Sequence, residues 1–327
     1  MKEKKISKRE LFLLKEHTSI ADQYFEELYQ THGLASEKQW KDFVYWALLV
    51  CGVGFLVSGM VFFFAFNWDA MPVPIKFSLV GLGIALSGYM AVTPRVKEPV
   101  NKISLVATSV LLGVLLAVFG QTYQTGANAY DLFLTWLLVV TPLTVVSQST
   151  YQWLFFSVLA NTTLILACVQ RLQVESVFVG IMLVLLANVV LLLVPAWKLI
   201  HRNFQIGNGY TQIQTVAIYV LATLGFGCWL FANNASYREE ELQGSFWTLL
   251  LSLAIIAGGL ALAWKQKRIY LFSYALISVI SCGLMIWMKI FKDSSEGLFV
   301  YMLYVIGGIF FIIKWVSSKS KAWKHGN

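Results

Sequence analysis

Charge is what this chain has least of. Only 13% of its 327 residues are Asp, Glu, Lys or Arg, against 58% hydrophobic, where a soluble globule carries about 25% charged residues. A water-soluble fold is excluded on that ground. Cysteine is scarce too: Cys51, Cys168, Cys228 and Cys282 all fall inside apolar runs with no CxxC pair, so they read as small packed hydrophobes and exclude a disulfide framework. The histidines His17, His32, His201 and His325 lie in polar segments, none beside a carboxylate at metal-ligand spacing. No metal site is expected. No phosphate-binding glycine loop appears either, and GVGFLVSG at 52–59 is small-residue helix packing, so no cofactor is expected. The compact acidic, His or Arg cluster that hydrolytic or transferase chemistry needs is missing. No catalytic residue is assigned, and an enzyme is the less expected outcome. A cleavable leader is also missing, because the first apolar run starts only at Phe43 and is too long for a signal core.

What is there is grease in long, regular pieces. Ten apolar runs, charged only at or next to an end (Lys76, Lys198 and Lys314), are long enough to approach or cross a roughly 30 Å hydrocarbon layer as helices. They are Phe43–Phe66, Ile75–Val92, Ile103–Phe119, Leu132–Val146, Trp153–Val169, Ser176–Leu199, Ile213–Ala232, Phe246–Trp264, Tyr270–Met288 and Leu298–Lys314. The fold class is therefore an all-α integral membrane protein. It divides into a cytoplasmic helical segment at 1–42, a transmembrane bundle at 43–314 and a basic tail at 315–327.

Sorting charge by alternate turns gives the orientation. Twenty of the 25 Lys and Arg residues lie on the amino-terminal side, and only Lys76, Arg171, Arg238, Lys289 and Lys292 on the other. By the positive-inside rule both termini are cytoplasmic. The basic inner face suits the anionic lipid of that leaflet and makes nucleic acid an unnecessary partner. Trp153, Trp264 and Trp315 fall at inner ends and Trp229 and Trp287 near outer ends, as interfacial belts. Residues 1–42 hold eight basic and eight acidic residues, so they are no polyanion binder. Their capping-box spacings, Ser7 with Glu10 and Ser36 with Gln39, and the stripe Ile20, Tyr24 and Leu28 predict short helices. Such helices can lie on the membrane or dock a protein partner.

Two outer loops stand out. FNWDAMPVPIK at 66–76 follows the first span, and GQTYQTGANAYD at 120–131 follows the third. The blocks NWDAMP with Lys76, and FGQTYQTGANAYDLFLTWLLVVTPL, resemble the two signatures of a bacterial multi-pass family, domain of unknown function 2157, over roughly residues 8–150. The resemblance implies a bacterial membrane and a shared outer surface, and it carries over no catalytic residue. Together the loops offer Asn67, Trp68, Asp69, Gln121, Tyr123, Gln124, Asn128, Tyr130 and Asp131, polar groups without a fixed positive charge. These can hold a neutral polar or cationic head group by hydrogen bonds and aromatic stacking. They can equally satisfy one another as a structural lid. Asp131 directly precedes a span and can cap it, while Gly120 and Gly126 read as turn residues.

Inside the spans no ionisable group sits near the middle, which counts against a proton-driven carrier. The polar exceptions are Asn161 and Asn188, on the two arms of one hairpin. They are expected to bond to each other or to the backbone, as helix glue rather than to a substrate. Small residues at Gly54, Ser58, Gly81, Ala85, Gly258, Gly259, Gly307 and Gly308 suggest close helix contacts, and Pro142 a kink. Three functional readings follow: a transporter or lipid- or small-molecule-handling protein with an outer polar site; a membrane partner or sensor acting through residues 1–42; and an intramembrane enzyme using Asp69 or Asp131.

Overall fold

A computed structural model describes residue 24 and residues 37–147, 149–174, 176–193, 208–232, 239–291 and 297–324. Most of the 1–42 head, all four histidines, and the Glu residues' side chains at 239–241 lie outside the described residues or side chains. Among the described residues the chain forms ten α-helices, one on each expected run. They are α1 (Glu37–Asn67), α2 (Val73–Val92), α3 (Glu98–Thr122), α4 (Ala129–Ser147), α5 (Thr150–Leu166), α6 (Val177–Leu193), α7 (Asn208–Ala232), α8 (Glu239–Gln266), α9 (Ile269–Ile290) and α10 (Gly297–Lys324). Eight of these are long and apolar enough to cross a membrane, with α5 counted together with the π-turn that extends it; α6 is shorter, at 17 residues. The protein is an all-α membrane protein.

The chain separates into two compact units, residues 1–72 and 73–327. In the first, α1 is 31 residues long, a rise of roughly 46 Å at 1.5 Å per residue. It runs unbroken through the head–span boundary drawn at 42/43. Beyond it the chain turns, with the Met71 N–H donating to Trp68 O at 3.2 Å.

In the second unit α7 is the centre. It packs on α5, α6, α8 and α9, while α2–α5 form a neighbouring group of their own. The main core runs along α7 through Ile218, Ala222, Phe226 and Leu230, closed by Leu185, Leu249, Ile256 and Ala275. Glycines let helices meet where the sequence suggested and where it did not. A β-carbon at Gly259 would run into the Tyr219 hydroxyl, and one at Gly308 would lie 2.9 Å from Ile280, whereas Gly81, Gly258 and Gly307 have nothing within 4 Å. Pro142 is accommodated inside an unbroken α4.

Two ends are finished by side chains. Lys289 Nζ donates to Leu230 O at 2.5 Å, placing a cation at the carbonyl end of α7, where the helix dipole favours it. At the opposite end α10 continues past Lys314 to Lys324, so the basic tail begins as helix. Trp315 and Trp323 pack edge-on to Phe272 at 5.2 and 5.5 Å, and Lys319 lies 4.0 Å over Trp264. Trp153 departs from the expected belt: only 6% exposed, it packs on Tyr210 between α5 and α7.

Candidate functional site

The turn from α3 to α4 is built from both helix ends. Helix α3 runs through Gln121 and Thr122, so Gly120 lies in its last turn rather than in the loop. The reason is the cap. After the last α-type bond, from the Tyr123 N–H to Phe119 O (3.0 Å), the Thr125 N–H reaches back to Gly120 O (3.3 Å), the six-to-one closure that ends a helix on a left-handed residue. That residue is Gln124, at φ 44°, and Gly126 follows at φ 64°. Glycine holds such a φ without cost, as the sequence suggested for Gly126. A glutamine there costs roughly 1–2 kcal/mol.

Helix α4 starts with Asn128 in the capping position. The Asn128 N–H donates to Asp131 Oδ2 at 3.0 Å, and the Asp131 N–H returns to Asn128 O at 3.1 Å. Asp131 therefore does cap α4, but from the third helical position, reaching back as the carboxylate half of a capping box. Tyr123 leans on Phe119 at 4.7 Å and on Phe77 of α2 at 6.4 Å, which fixes its ring. Gln121, Tyr123, Gln124, Asn128 and Asp131 are all exposed. The three remaining candidates belong to the first unit: Asn67 ends α1, Trp68 is half-buried in the following turn, and Asp69 is exposed.

Helix α5 adds a neighbour that sequence reasoning missed. Its last turn widens into a π-turn, Ala167–Arg171, and there the Gln170 Oε1 accepts the Tyr130 N–H at 2.9 Å. The chain then turns on a second left-handed glutamine, Gln173, at φ 47°. Arg171 is thereby carried to within one residue of a direct bond to the residue before Asp131. Between Lys102 and Glu175 the sequence holds just two charged side chains, Asp131 and Arg171. Folding brings both to one end of the bundle.

Beneath that surface α5 carries uncharged polar groups on two faces. Toward α3 and α4, Thr163 Oγ1 donates to Phe133 O (3.3 Å), and Gln152 Nε2 to Ser109 Oγ (2.8 Å) and Thr144 Oγ1 (3.2 Å). Toward α6 and α7, Asn161 and Asn188 exchange amide bonds at 3.2 and 2.7 Å, as the hairpin arrangement predicts. Gln214 Nε2 adds a third helix to this pair, donating to Asn188 Oδ1 at 2.7 Å. Nearer the α7 start, the Tyr210 hydroxyl donates to Leu191 O at 3.0 Å and lies 3.3 Å from Ser157 Oγ. Gln152, Asn188, Gln214 and Tyr210 are all buried. In hydrocarbon such groups must find protein partners, and these amides bind α5, α6 and α7 to one another. They hold no charge, so among the described residues of this cluster none can clamp an ion by charge. No group of three or more His, Cys, Asp or Glu that could hold a metal ion occurs among the described residues.

Replacing Gln124 with glycine should relieve the left-handed strain. The expected gain is about 1 kcal/mol, read as a higher unfolding midpoint in detergent; a loss of stability would mean that the glutamine side chain holds the turn.

Residues 14–153 match the model of a family described as predicted membrane protein (DUF2157). The match runs from ahead of α1 to the first turn of α5, and it includes both blocks that carry the resemblance. No curated protein and no solved structure matches the chain.

Proposed function

We propose that this membrane protein handles a lipid or a small polar molecule, as a transporter or carrier of the bacterial cytoplasmic membrane, and that the α3–α4 turn receives a dipolar head group. In this reading both termini are cytoplasmic, and the turn faces outward. The observation that carries it is the Tyr130–Gln170 bond, which joins the residues next to Asp131 and Arg171. An isolated carboxylate would select cations, and an isolated guanidinium anions. Opposite charges one residue removed from a shared contact suit a molecule bearing both, such as an amine and a phosphate.

The rest of the turn supports that reading. A carboxylate offers about four acceptor sites, and the cap engages one Asp131 oxygen, leaving acceptor capacity for an ammonium group. Gln121, Gln124 and Asn128 are exposed amides on a backbone tied at both ends, so little ordering entropy remains to be lost on binding. Gln124 holds a left-handed conformation that a glycine would adopt more easily, the kind of strain that accumulates where function retains a side chain.

Binding of phosphoethanolamine, phosphocholine, choline and glycerol phosphate to the purified protein tests the proposal. The two dipolar compounds should bind more tightly than either single-charge compound. Asp131→Asn and Arg171→Gln should each weaken them about tenfold, the equivalent of one charge-assisted hydrogen bond. Asn keeps an oxygen for the cap, so Asp131→Asn should leave stability nearly unchanged. Equal binding by both variants and the parent would sink the dipolar site, and hydrolysis of a head group that disappears in Asp131→Asn would replace the carrier with an enzyme. Accessibility labelling that put residues 120–131 on the side of the amino terminus would overturn the orientation.

A further inference from the structure

Far from the α3–α4 turn, α9 and α10 leave an open apolar groove of about 360 Å³ between them. Ile277, Ile280, Leu284, Val305, Ile309 and Ile313 line it, with Ser281 as its polar side chain. The residues on α10 span eight positions, a rise of roughly 12 Å. An apolar slot of that length, on two membrane-spanning helices, fits a stretch of extended hydrocarbon chain.

The chemistry at one end of the slot narrows the occupant. Tyr270 lies seven residues, about two turns, before Ile277 and so continues the same face of α9 toward its start. Its hydroxyl accepts a hydrogen bond from Arg268 Nη1 at 2.9 Å. Lys267 and Arg268 are exposed in the α8–α9 turn, and Lys314 is exposed on α10 directly after Ile313. Across residues 264–268 and 314–324 the chain carries seven Lys and Arg and no Asp or Glu. A greasy slot that ends at a purely cationic rim is complementary to a molecule with an acyl chain and an anionic head.

We infer that the α9–α10 groove is a binding site for an anionic phospholipid, one acyl chain lying along Ile277–Leu284 and Val305–Ile313 and the phosphate held at Arg268. Arg268 is pre-oriented by Tyr270, so its guanidinium offers a fork that matches a phosphate. Lys267 and Lys314 supply further positive potential at the rim, where each basic residue near an anionic lipid surface is worth about five-fold in affinity. Lys319 is committed elsewhere, over the Trp264 ring. This site is independent of the dipolar site proposed above.

The test uses the full chain, delipidated in mild detergent and offered phosphatidylglycerol, phosphatidylcholine or diacylglycerol of identical chains, with bound lipid counted by native mass spectrometry. One phosphatidylglycerol should be retained at least five-fold more strongly than phosphatidylcholine. Arg268→Gln, at an exposed position, should erase most of that preference and leave diacylglycerol retention unchanged. Ile309→Trp, which fills the groove from an exposed position, should lose all three lipids while helical content and elution volume stay constant. Equal retention of the two phospholipids by the parent would overturn the inference, as would phosphatidylglycerol that persists in Ile309→Trp. A shift of Ile309→Trp from dimer to monomer would also overturn it, by making the groove an interface between two copies.

Discussion

Gly113→Ala is expected to destabilise the second unit by about 3 kcal/mol, near the upper end of what overpacking costs. Gly113 is buried in α3, and a β-carbon there would lie inside the van der Waals surface of the Trp136 indole. The indole cannot simply swing aside. Its Nε1 donates to Ser109 O at 2.7 Å, and its ring is held between Phe133 and Phe155 at 5.6 and 5.8 Å. Moving it therefore breaks a hydrogen bond in a low-dielectric setting as well as two aromatic contacts. The check is the unfolding midpoint of the purified variant. Adding Trp136→Leu should recover part of the loss, because the clash disappears with the ring; a double variant as unstable as the sum of its parts would show that Gly113 matters for another reason.

Asn188→Leu should cost about 2–4 kcal/mol. Asn188 is the hub of the amide cluster: it exchanges bonds with Asn161, accepts from Gln214, and donates to Val184 O within its own helix. Each interhelical bond of this kind is worth about 0.6 kcal/mol on average in a membrane. The larger part of the loss comes from leaving Asn161 Oδ1 without its donor, at about 1–3 kcal/mol for a polar group left unpaired. Asn161 Nδ2 keeps Ser157 O, and Gln214 Nε2 keeps the residue 188 carbonyl. Asn161→Leu should cost less, since Gln214 keeps its partner. The double variant Asn161→Leu/Asn188→Leu should fall clearly short of the sum of the singles, because the second substitution removes one of the groups the first one stranded. Strict additivity in equilibrium unfolding would mean that the two amides act separately.

The two variants mark where sequence reasoning reached and where it stopped. Asn161 and Asn188 were legible because a polar residue inside an apolar run is conspicuous, and a short hairpin connection makes its arms neighbours. Gln214 was not, since it follows the polar start of α7 and looks like one more interfacial residue. Gln152 illustrates a local rule overridden. It stands three after Ser149, the spacing of a capping box, yet Ser149 makes no cap bond and Gln152 reaches across to Ser109 on α3 instead. A buried glutamine with a hydroxyl partner on another helix does better there than one folded back on its own turn.

The candidate site shows the same division. GQTYQTGANAYD was identifiable as polar, capped and turn-forming from its residue types alone, and Asp131 as a capping carboxylate from its place before a greasy run. Arg171 was assigned to the same face but to no site. Forty residues separate it from Asp131, and a lone arginine at a helix end has an ordinary role as an interfacial anchor. Only the π-turn that aims Gln170 at the Tyr130 N–H ties the residues next to the two charges to each other.

What the sequence determined by itself is the membrane and the ten helices. Hydrocarbon admits only self-bonded helical segments of a minimum length with almost no charge, and that condition is written along the chain one residue after another. What tertiary structure decided is which faces meet: Gln214 on Asn188, Gly113 against Trp136, Gln170 on Tyr130. Those pairings depend on the rotation of each helix about its axis and on distant partners, and in a chain apolar on nearly every face little in the local pattern reports that angle.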